Sequence, residues 1–162
     1  MSDSVISHDS ESPAHGQQVI TACAFIHHNF DGVEKVFLPR RAATKKFLPN
    51  VWELPGGHID YGEDLVAGLK REAQEEFEKD ITVGDVAGVF TYVNDIKGSH
   101  SIEVVYFAQF VGGIDDIRLH PEDHSACKWF SEADLAELPQ DDDETILMHR
   151  AFALLRGEPL QT

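Results

Sequence analysis

Apolar runs near the start of the chain predict a β-hairpin. From Val19 the sequence reads VITACAFIHH, which is apolar and rich enough in β-branched residues to form a strand. The pair Asp31-Gly32 follows, and Asp-Gly is typical of the two-residue turn that joins antiparallel strands. The segment VEKVFLPRR, residues 33–41, is therefore expected to be the returning strand.

A repeat of apolar residues at every fourth position predicts a helix between Asp64 and Lys79. The residues on this stripe are Leu65, Leu69, Ala73 and Phe77. The preceding segment, LPGGHIDYGED, carries three glycines within seven residues. We expect this segment to be a glycine-rich turn that leads into the helix.

The rest of the chain alternates between strand and helix patterns. The predicted elements are β-runs at 81–94 and 100–111, a short strand around Trp129-Phe130, a short helix capped by Ser131 with Asp134, and an amphipathic helix over roughly 143–156. Antiparallel hairpins mixed with helices indicate the α+β class, or an α/β/α sandwich with a mixed sheet.

Length and composition predict one domain preceded by a tail. The chain has 162 residues, which is the size of one ordinary domain. Residues 1–16 are rich in Ser, Asp and His and have little to bury, so we expect a flexible N-terminal tail. Residues 17–162 are then expected to form a single domain.

The charge balance disfavours two classes of partner. Lys and Arg number 13 against 29 Asp and Glu, which gives a net charge of −16. Such a charge repels nucleic-acid backbones and anionic membranes, so we expect neither as a partner. An anionic substrate would need a divalent metal or a local basic patch to reach the protein.

The N-terminus and the two cysteines indicate a cytoplasmic protein. The first residues have neither the basic region nor the apolar region of a secretory signal. Cys23 and Cys127 are too few for a disulfide framework, and both have apolar neighbours. We expect them to be reduced core residues.

The predicted helix carries three carboxylates on one face. Glu72, Glu75 and Glu76 are spaced i, i+3 and i+4, and Gly68 lies one turn earlier on the same face. Most glutamate runs on helices are solvated surface, and that reading applies to the three residues taken alone. Because adjacent like charges repel, a bound cation would stabilise the face, and Mg²⁺ prefers oxygen ligands.

The wider spacing resembles the Nudix box, G-x5-E-x7-R-E-U-x-E-E-x-G-U, in which U is a bulky aliphatic residue. The matching residues are Gly57, Glu63, Arg71, Glu72, Glu75 and Glu76. Six such matches arise by chance on the order of 10⁻⁵ times in a chain of this length. The segments VWELPGG and HPEDHSACKWFSEADLAEL also resemble mutator-type members of this family.

Three positions depart from the box. Glu78 replaces its second glycine, Lys79 replaces an aliphatic residue, and Ala73 is small for its aliphatic position. The glycine normally provides the left-handed residue that ends the helix. Without it, the helix is expected either to continue or to end with backbone strain.

The resemblance implies a fold, an activity and a metal site. It implies an α/β/α sandwich that hydrolyses a nucleoside diphosphate linked to another moiety, with two or three Mg²⁺ or Mn²⁺ ions. The metal ligands it implies are Glu72, Glu75, Glu76 and the backbone carbonyl of Gly56 or Gly57.

The resemblance also implies catalytic roles for residues around this site. Glu63 would orient Arg71 or lie among the groups behind the metal ligands. The general base varies in this family, and the candidates here are Glu72 and a later carboxylate, either Glu122 or Asp123.

Five further residues are candidates for substrate binding. Arg40 and Arg41 belong to the basic cluster before the box, which either meets phosphate or is solvated loop. Phe47 and Tyr92 offer rings for stacking a base, although such rings are more often core. His58 follows the box glycine and either reaches a phosphate or lies at the surface.

These features lead to three hypotheses for function. The first is metal-dependent cleavage of a nucleoside triphosphate, including an oxidised purine nucleotide, to the monophosphate and pyrophosphate. The second is cleavage of ADP-ribose or another nucleoside diphosphate sugar at the same site. The third is a non-catalytic, nucleotide-binding regulatory module. Homodimers occur among similar proteins, and the residues do not indicate the oligomeric state.

Overall fold

The computed structural model describes residues 16–158. The tail predicted at 1–16 therefore lies outside the described residues, except for Gly16, as do the last four residues of the predicted domain. The elements are β1 (Gln18–Phe30), β2 (Val33–Arg41), β3 (Gly56–His58), α1 (Leu65–Phe77), β4 (Ile81–Asn94), β5 (Ser99–Phe110), β6 (His124–Ser131), a 3₁₀ helix (Ala133–Glu137) and α2 (Asp143–Leu155).

The strands form one mixed sheet with the order β4-β5-β1-β2-β6, and β3 pairs with β1. The β1–β5 pair is parallel, whereas β1–β2, β1–β3, β2–β6 and β4–β5 are antiparallel. The predicted α+β class is confirmed. The segment expected to be only a turn before α1 instead contributes β3, a strand of three residues.

The predicted hairpin between β1 and β2 is confirmed. Phe30 pairs with Val33, which leaves Asp31 and Gly32 as a two-residue turn. Their φ angles are 51° and 94°, and the turn that suits the twist of a hairpin requires positive φ at both central residues. The side chain of Asn29 accepts a hydrogen bond from the Gly32 amide at 2.7 Å.

Helices cover both faces of the sheet, as the sandwich prediction requires. Cys23 and Phe25 pack in a core cluster with α2 residues, whereas Ala22, Ala24 and Ile26 pack in a second cluster with α1 residues. Successive side chains of a strand point to opposite faces, so β1 must be apolar at nearly every central position. This burial explains the continuous apolar run in the sequence.

Helix α1 ends where the box predicts, in spite of the missing glycine. Asp64 caps its start by accepting a hydrogen bond from the Ala67 amide at 3.0 Å. Glu78 takes the left-handed conformation, with φ 53° and ψ 37°, and its amide bonds to the Gln74 carbonyl. The alternative in which the helix continues is therefore wrong, and the strained ending is the one observed.

Lys79, at the other departure from the box, is buried but fully engaged. Its side chain is 6% exposed, and Nζ donates to the Gly113 carbonyl at 2.8 Å and to Asp116 Oδ1 at 2.7 Å.

The two cysteines are free, but only Cys23 is buried; the core position predicted for Cys127 is wrong because its side chain is exposed on β6. Within residues 16–158, no helix is long and apolar enough to cross a membrane.

Candidate active site

A cavity of about 1150 Å³ lies where β3, α1, the loop after β2 and the start of α2 meet. Ten of the predicted site residues line it: Gly56, Gly57, Glu72, Glu75, Glu76, Arg71, Asp123, Arg41, Phe47 and His58. Glu63 and Arg40 lie outside its lining, and Asp123 rather than Glu122 is the loop carboxylate that faces it. The cavity is large enough for a nucleotide.

Two glycines bring strand β3 close to its neighbours. A Cβ atom on Gly56 would lie 2.1 Å from the Ala22 carbonyl oxygen, inside the pairing of β3 with β1. A Cβ atom on Gly57 would lie 2.4 Å from the carboxyl carbon of Glu72. Glycine at position 57 therefore lets the backbone of β3 lie directly against the Glu72 carboxylate of α1.

Arg71 holds several of the box carboxylates together. Its guanidinium binds both oxygens of Glu63, with Nε–Oε2 at 2.8 Å and Nη2–Oε1 at 3.0 Å. Nη1 donates to Glu72 Oε1 at 3.0 Å and lies 3.3 Å from Glu75 Oε2. A Cβ atom on Gly68 would lie 2.7 Å from Glu63 Oε1, so this glycine gives Glu63 room to reach the arginine.

The carboxylates of this site have different pKa values because their surroundings differ. The hydrogen bond from Arg71 lowers the pKa of Glu63 below its usual range. Burial raises the pKa of Glu72 to about 7, although Arg71 acts in the opposite direction. Burial, with the nearby charges of Glu53 and Glu72, raises the pKa of Glu76 well above its usual range.

Glu76 is the carboxylate whose environment most favours a cation. Its Oε2 is hidden from solvent and accepts no hydrogen bond among the described residues. A carboxylate oxygen that is hidden from water and accepts no hydrogen bond is costly, and a divalent cation bound by oxygen ligands would offset that cost. The chemistry of these residues therefore fits a hard metal ion. Among residues 16–158, however, no group of three acidic, histidine or cysteine side chains is already placed to hold one.

Glu53 belongs to the same group, although the sequence analysis predicts no role for it. Its Oε2 lies 3.3 Å from Arg41 Nη1, and its Oε1 lies 3.2 Å from His124 Nε2. It is also the charge that most raises the pKa of Glu76. Its position in VWELPGG, four residues before Gly57, is the signal that could have identified it.

The basic residues of the loop after β2 do not behave as one cluster. Arg41 is 7% exposed and is bound to Glu53, and Lys45 Nζ pairs with Asp123 Oδ1 at 3.1 Å. For these two residues the solvated-loop alternative is wrong. Arg40 lies away from the cavity, where its guanidinium packs over Trp52 and donates to the Asn50 carbonyl.

Aromatic side chains line the other end of the cavity. The rings of Phe47 and Tyr92 are nearly parallel, with an interplanar angle of 10° and centroids 6.0 Å apart. His58 also lines the cavity but is only 8% exposed, so its alternative as a surface residue is wrong. The cavity thus has a carboxylate-rich end beside α1 and an aromatic end beside β4.

Comparison with known proteins gives an independent view of the chain. A family model described as the NUDIX domain matches residues 19–150. A curated relative, the m7GpppN-mRNA hydrolase NUDT17 of Xenopus laevis, is 49% identical over 43 residues, which cover 26% of this chain and 14% of that protein. The chain spans less than half the length of the curated relatives it matches, at most 49% for an uncharacterized Nudix hydrolase of Nostoc sp..

Solved structures resemble the whole described fold. A MutT NUDIX hydrolase from Burkholderia pseudomallei is 27% identical with a TM-score of 0.66, and the match covers 83% of this chain and 98% of that one. A C. elegans Ap4A hydrolase is 23% identical with a TM-score of 0.72, and the match covers 86% and 98% of the two chains. The second likeness concerns the fold alone.

Proposed function

The chain belongs to the NUDIX family, and from this membership we propose that it hydrolyses a phosphoanhydride bond of a nucleotide with the help of divalent metal ions. The observation that carries the proposal is the arrangement of the box residues. Five of the six line a single nucleotide-sized cavity, and the sixth, Glu63, is bound to one of them. Glu76 in this cavity has a carboxylate oxygen that is hidden from solvent and accepts no hydrogen bond among the described residues, and burial raises its pKa well above the usual range.

The metal ligands in this proposal are the carboxylates of Glu72, Glu75 and Glu76, with the carbonyl of Gly56 or Gly57. A bound divalent ion such as Mg²⁺ or Mn²⁺ supplies charge neutralisation for the phosphates and lowers the pKa of a water molecule. The excess of acidic residues makes this neutralisation necessary, because a phosphate would otherwise be repelled.

Arg71 acts in this proposal as the residue that positions the carboxylates. Its two bonds to Glu63 fix the guanidinium, and the fixed guanidinium then holds Glu72 and Glu75 on the cavity side of α1. A side chain held on several sides loses little entropy when its ligand arrives, and such preorganisation is what catalytic sites need.

Glu72 is the stronger of the two candidates for the general base. A base works best when its pKa is close to the working pH, and burial raises the pKa of Glu72 to about 7. Arg71 binds its Oε1, so Oε2 is the atom left either to bind the metal ion or, where it does not, to accept the proton from water. Asp123 is instead paired with Lys45 at 3.1 Å, and this ion pair supports a role beside the phosphates.

The substrate proposed first is a nucleoside triphosphate, including an oxidised purine nucleotide, cleaved to the monophosphate and pyrophosphate. Phe47 and Tyr92, whose rings stack on each other, support a nucleoside substrate because aromatic rings that line the cavity can stack with a base. ADP-ribose and capped dinucleotides of the kind named for the NUDT17 relative present the same diphosphate and are the alternatives.

The test is product release from a panel of nucleotides with Mg²⁺ or Mn²⁺. The panel contains canonical and oxidised triphosphates, ADP-ribose, a capped dinucleotide and dinucleoside polyphosphates. Glu76→Gln is measured beside the wild type, and Glu137→Gln, which alters an exposed residue at the cavity rim, is the matched control.

We expect turnover of one substrate class by the wild type and by Glu137→Gln, and a loss of at least about 100-fold in Glu76→Gln. If no member of the panel is cleaved while a nucleotide still raises the melting temperature, the hydrolase proposal is wrong and the regulatory-module hypothesis replaces it.

A further inference from the structure

A buried carboxylate, Glu103, lies at the aromatic end of the cavity. It is 5% exposed and stands opposite Phe90 in the β4–β5 pair, while Tyr92 stands opposite Ser101. Because strand side chains alternate, Phe90, Tyr92, Ser101 and Glu103 share one face of the sheet, and three of them line the cavity. This residue therefore lies beside the rings on which a base would stack.

Glu103 accepts hydrogen bonds from the side chains of Cys23 and Thr21, and a carboxylate has about four lone-pair sites, so it can accept further donors. Its Oε1 accepts a bond from the Cys23 thiol, with Sγ 2.8 Å away, and a thiol is a weak donor. The charged groups with the largest effect on it are Glu53 and Asp142, which are both acidic. Burial and these charges raise the pKa of Glu103 to about 7.

A second carboxylate faces the same end of the cavity from α2. Glu144 Oε1 accepts a hydrogen bond from the Leu54 amide at 2.6 Å. Glu103 is the charged group that most raises the pKa of Glu144, so the two carboxylates are close neighbours. Three basic side chains that line the cavity are each bound to another carboxylate: Arg41 to Glu53, Lys45 to Asp123 and Arg71 to Glu63.

The edge of a nucleobase can supply further hydrogen-bond donors to these carboxylates. Carboxylates accept hydrogen bonds, and the Watson–Crick edge of guanine presents two adjacent N–H donors, N1–H and the 2-amino group. Adenine and cytosine present one donor beside an acceptor on that edge, and hypoxanthine lacks the 2-amino group. A base stacked on Tyr92 would lie beside Glu103, because both residues line the cavity from the same face of the β4–β5 pair.

We propose that Glu103 determines base specificity by accepting hydrogen bonds from the amino edge of a guanine-type base stacked on Phe47 and Tyr92. Guanine oxidised at its imidazole ring keeps the same two donors and is selected equally. The inference rests on the proposed function, since it concerns the base of the nucleotide that the carboxylate-rich end would cleave. The inference identifies the residue that selects the base, whereas the box residues act on the metal and the phosphates and do not contact the base.

The test compares dGTP with dITP, which differ only in the 2-amino group. Values of kcat/KM are measured for wild type, Glu103→Gln and the rim control Glu137→Gln. A hydrogen bond to a charged acceptor corresponds to roughly 10- to 100-fold discrimination, so we expect dGTP to be preferred by about that factor in wild type and Glu137→Gln. In Glu103→Gln the ratio should fall toward one.

The ratio separates a role in specificity from structural damage. A misfolded or loosened variant loses activity on both nucleotides equally and leaves the ratio unchanged, and that result in Glu103→Gln would overturn the inference. Equal kcat/KM for the two nucleotides in the wild type would also overturn it, while leaving the proposed hydrolase activity intact.

A binding measurement covers the case in which no hydrolysis is found. Calorimetric titration with dGMP and dIMP in the absence of metal should show tighter binding of dGMP by wild type and a reduced difference in Glu103→Gln. If this preference is present without turnover, the hydrolase proposal fails and the specificity inference stands. If the two monophosphates bind equally, the inference is wrong whatever the activity.

Discussion

Replacing Glu78 with glycine should stabilise the protein, because this residue holds a conformation that side chains disfavour. Glu78 ends α1 with φ 53° and ψ 37°, at the position where the box has glycine. Its side chain is exposed, and its nearest ionic partner is His120 at 3.9 Å. An exposed pair at that distance contributes little, so the substitution loses almost no side-chain interaction.

The magnitude follows from two opposing effects. A residue with a Cβ atom in the left-handed region costs roughly 1–2 kcal/mol, which glycine avoids. Glycine also makes the unfolded chain more flexible, which costs about 0.4–1 kcal/mol. The net gain in the free energy of unfolding is then between about 0 and 1.6 kcal/mol, and the middle value of about 0.8 kcal/mol is equivalent to roughly 2 °C in melting temperature for a chain of this size.

Urea denaturation and thermal melting of Glu78→Gly and wild type measure this gain. The matched control is Lys70→Gly, since Lys70 is exposed in the interior of the same helix and has ordinary helical geometry. Glycine there should cost about 1 kcal/mol. Activity should be unchanged in Glu78→Gly because no cavity residue moves. If both variants are destabilised to a similar extent, the strain assigned to Glu78 is wrong.

Three further predictions concern the cavity. Gly57→Ala places a methyl group 2.4 Å from the Glu72 carboxyl carbon and should lower kcat about 100-fold. The control is Gly84→Ala, whose methyl group would lie 3.6 Å from its nearest neighbour and should leave kcat unchanged. Equal activities of the two variants would contradict the packing argument. Because the pKa of Glu103 is raised to about 7, its ionised form destabilises the fold, so stability falls as pH rises from about 4.5 to 7. Urea denaturation at several pH values measures the free energy of unfolding, which should fall less steeply with pH in Glu103→Gln than in wild type, by up to about 1.4 kcal/mol per pH unit. Parallel plots of this free energy against pH for the two proteins would refute the assignment. Glu76→Gln removes a buried carboxylate, so in EDTA at pH 8 the variant should have a higher melting temperature than the wild type. The variant should also lose the rise in melting temperature that Mg²⁺ gives the wild type. An undiminished rise would exclude Glu76 as a metal ligand.

The elements were largely predictable from local pattern. The hairpin followed from Asp31-Gly32, and the first helix followed from its apolar stripe. These signals act over a few residues, so the printed sequence contains them in full. The three-residue strand β3 was not predictable, because it exists only through its pairing with β1.

The box spacing likewise specified which carboxylates share a helix face, but it did not specify their surroundings. The sequence alone places Glu72, Glu75 and Glu76 together because a helix repeats every 3.6 residues. The box spacing does not include Glu53, which reaches the same cavity from a loop and is linked there to Arg41 and His124. Such contacts join residues far apart in the chain, and no local periodicity encodes them.

The sequence by itself thus determined the family, the order of most elements and the carboxylates available to a metal. The tertiary structure decided which of those groups are buried, and therefore which pKa values are raised. It also decided that Arg41 lies in the cavity while its neighbour Arg40 lies outside it, and that Glu103 of β5 lies beside Tyr92 of β4. The physical reason is that burial and long-range pairing depend on the packing of all elements at once, whereas periodicity and turn chemistry depend only on near neighbours.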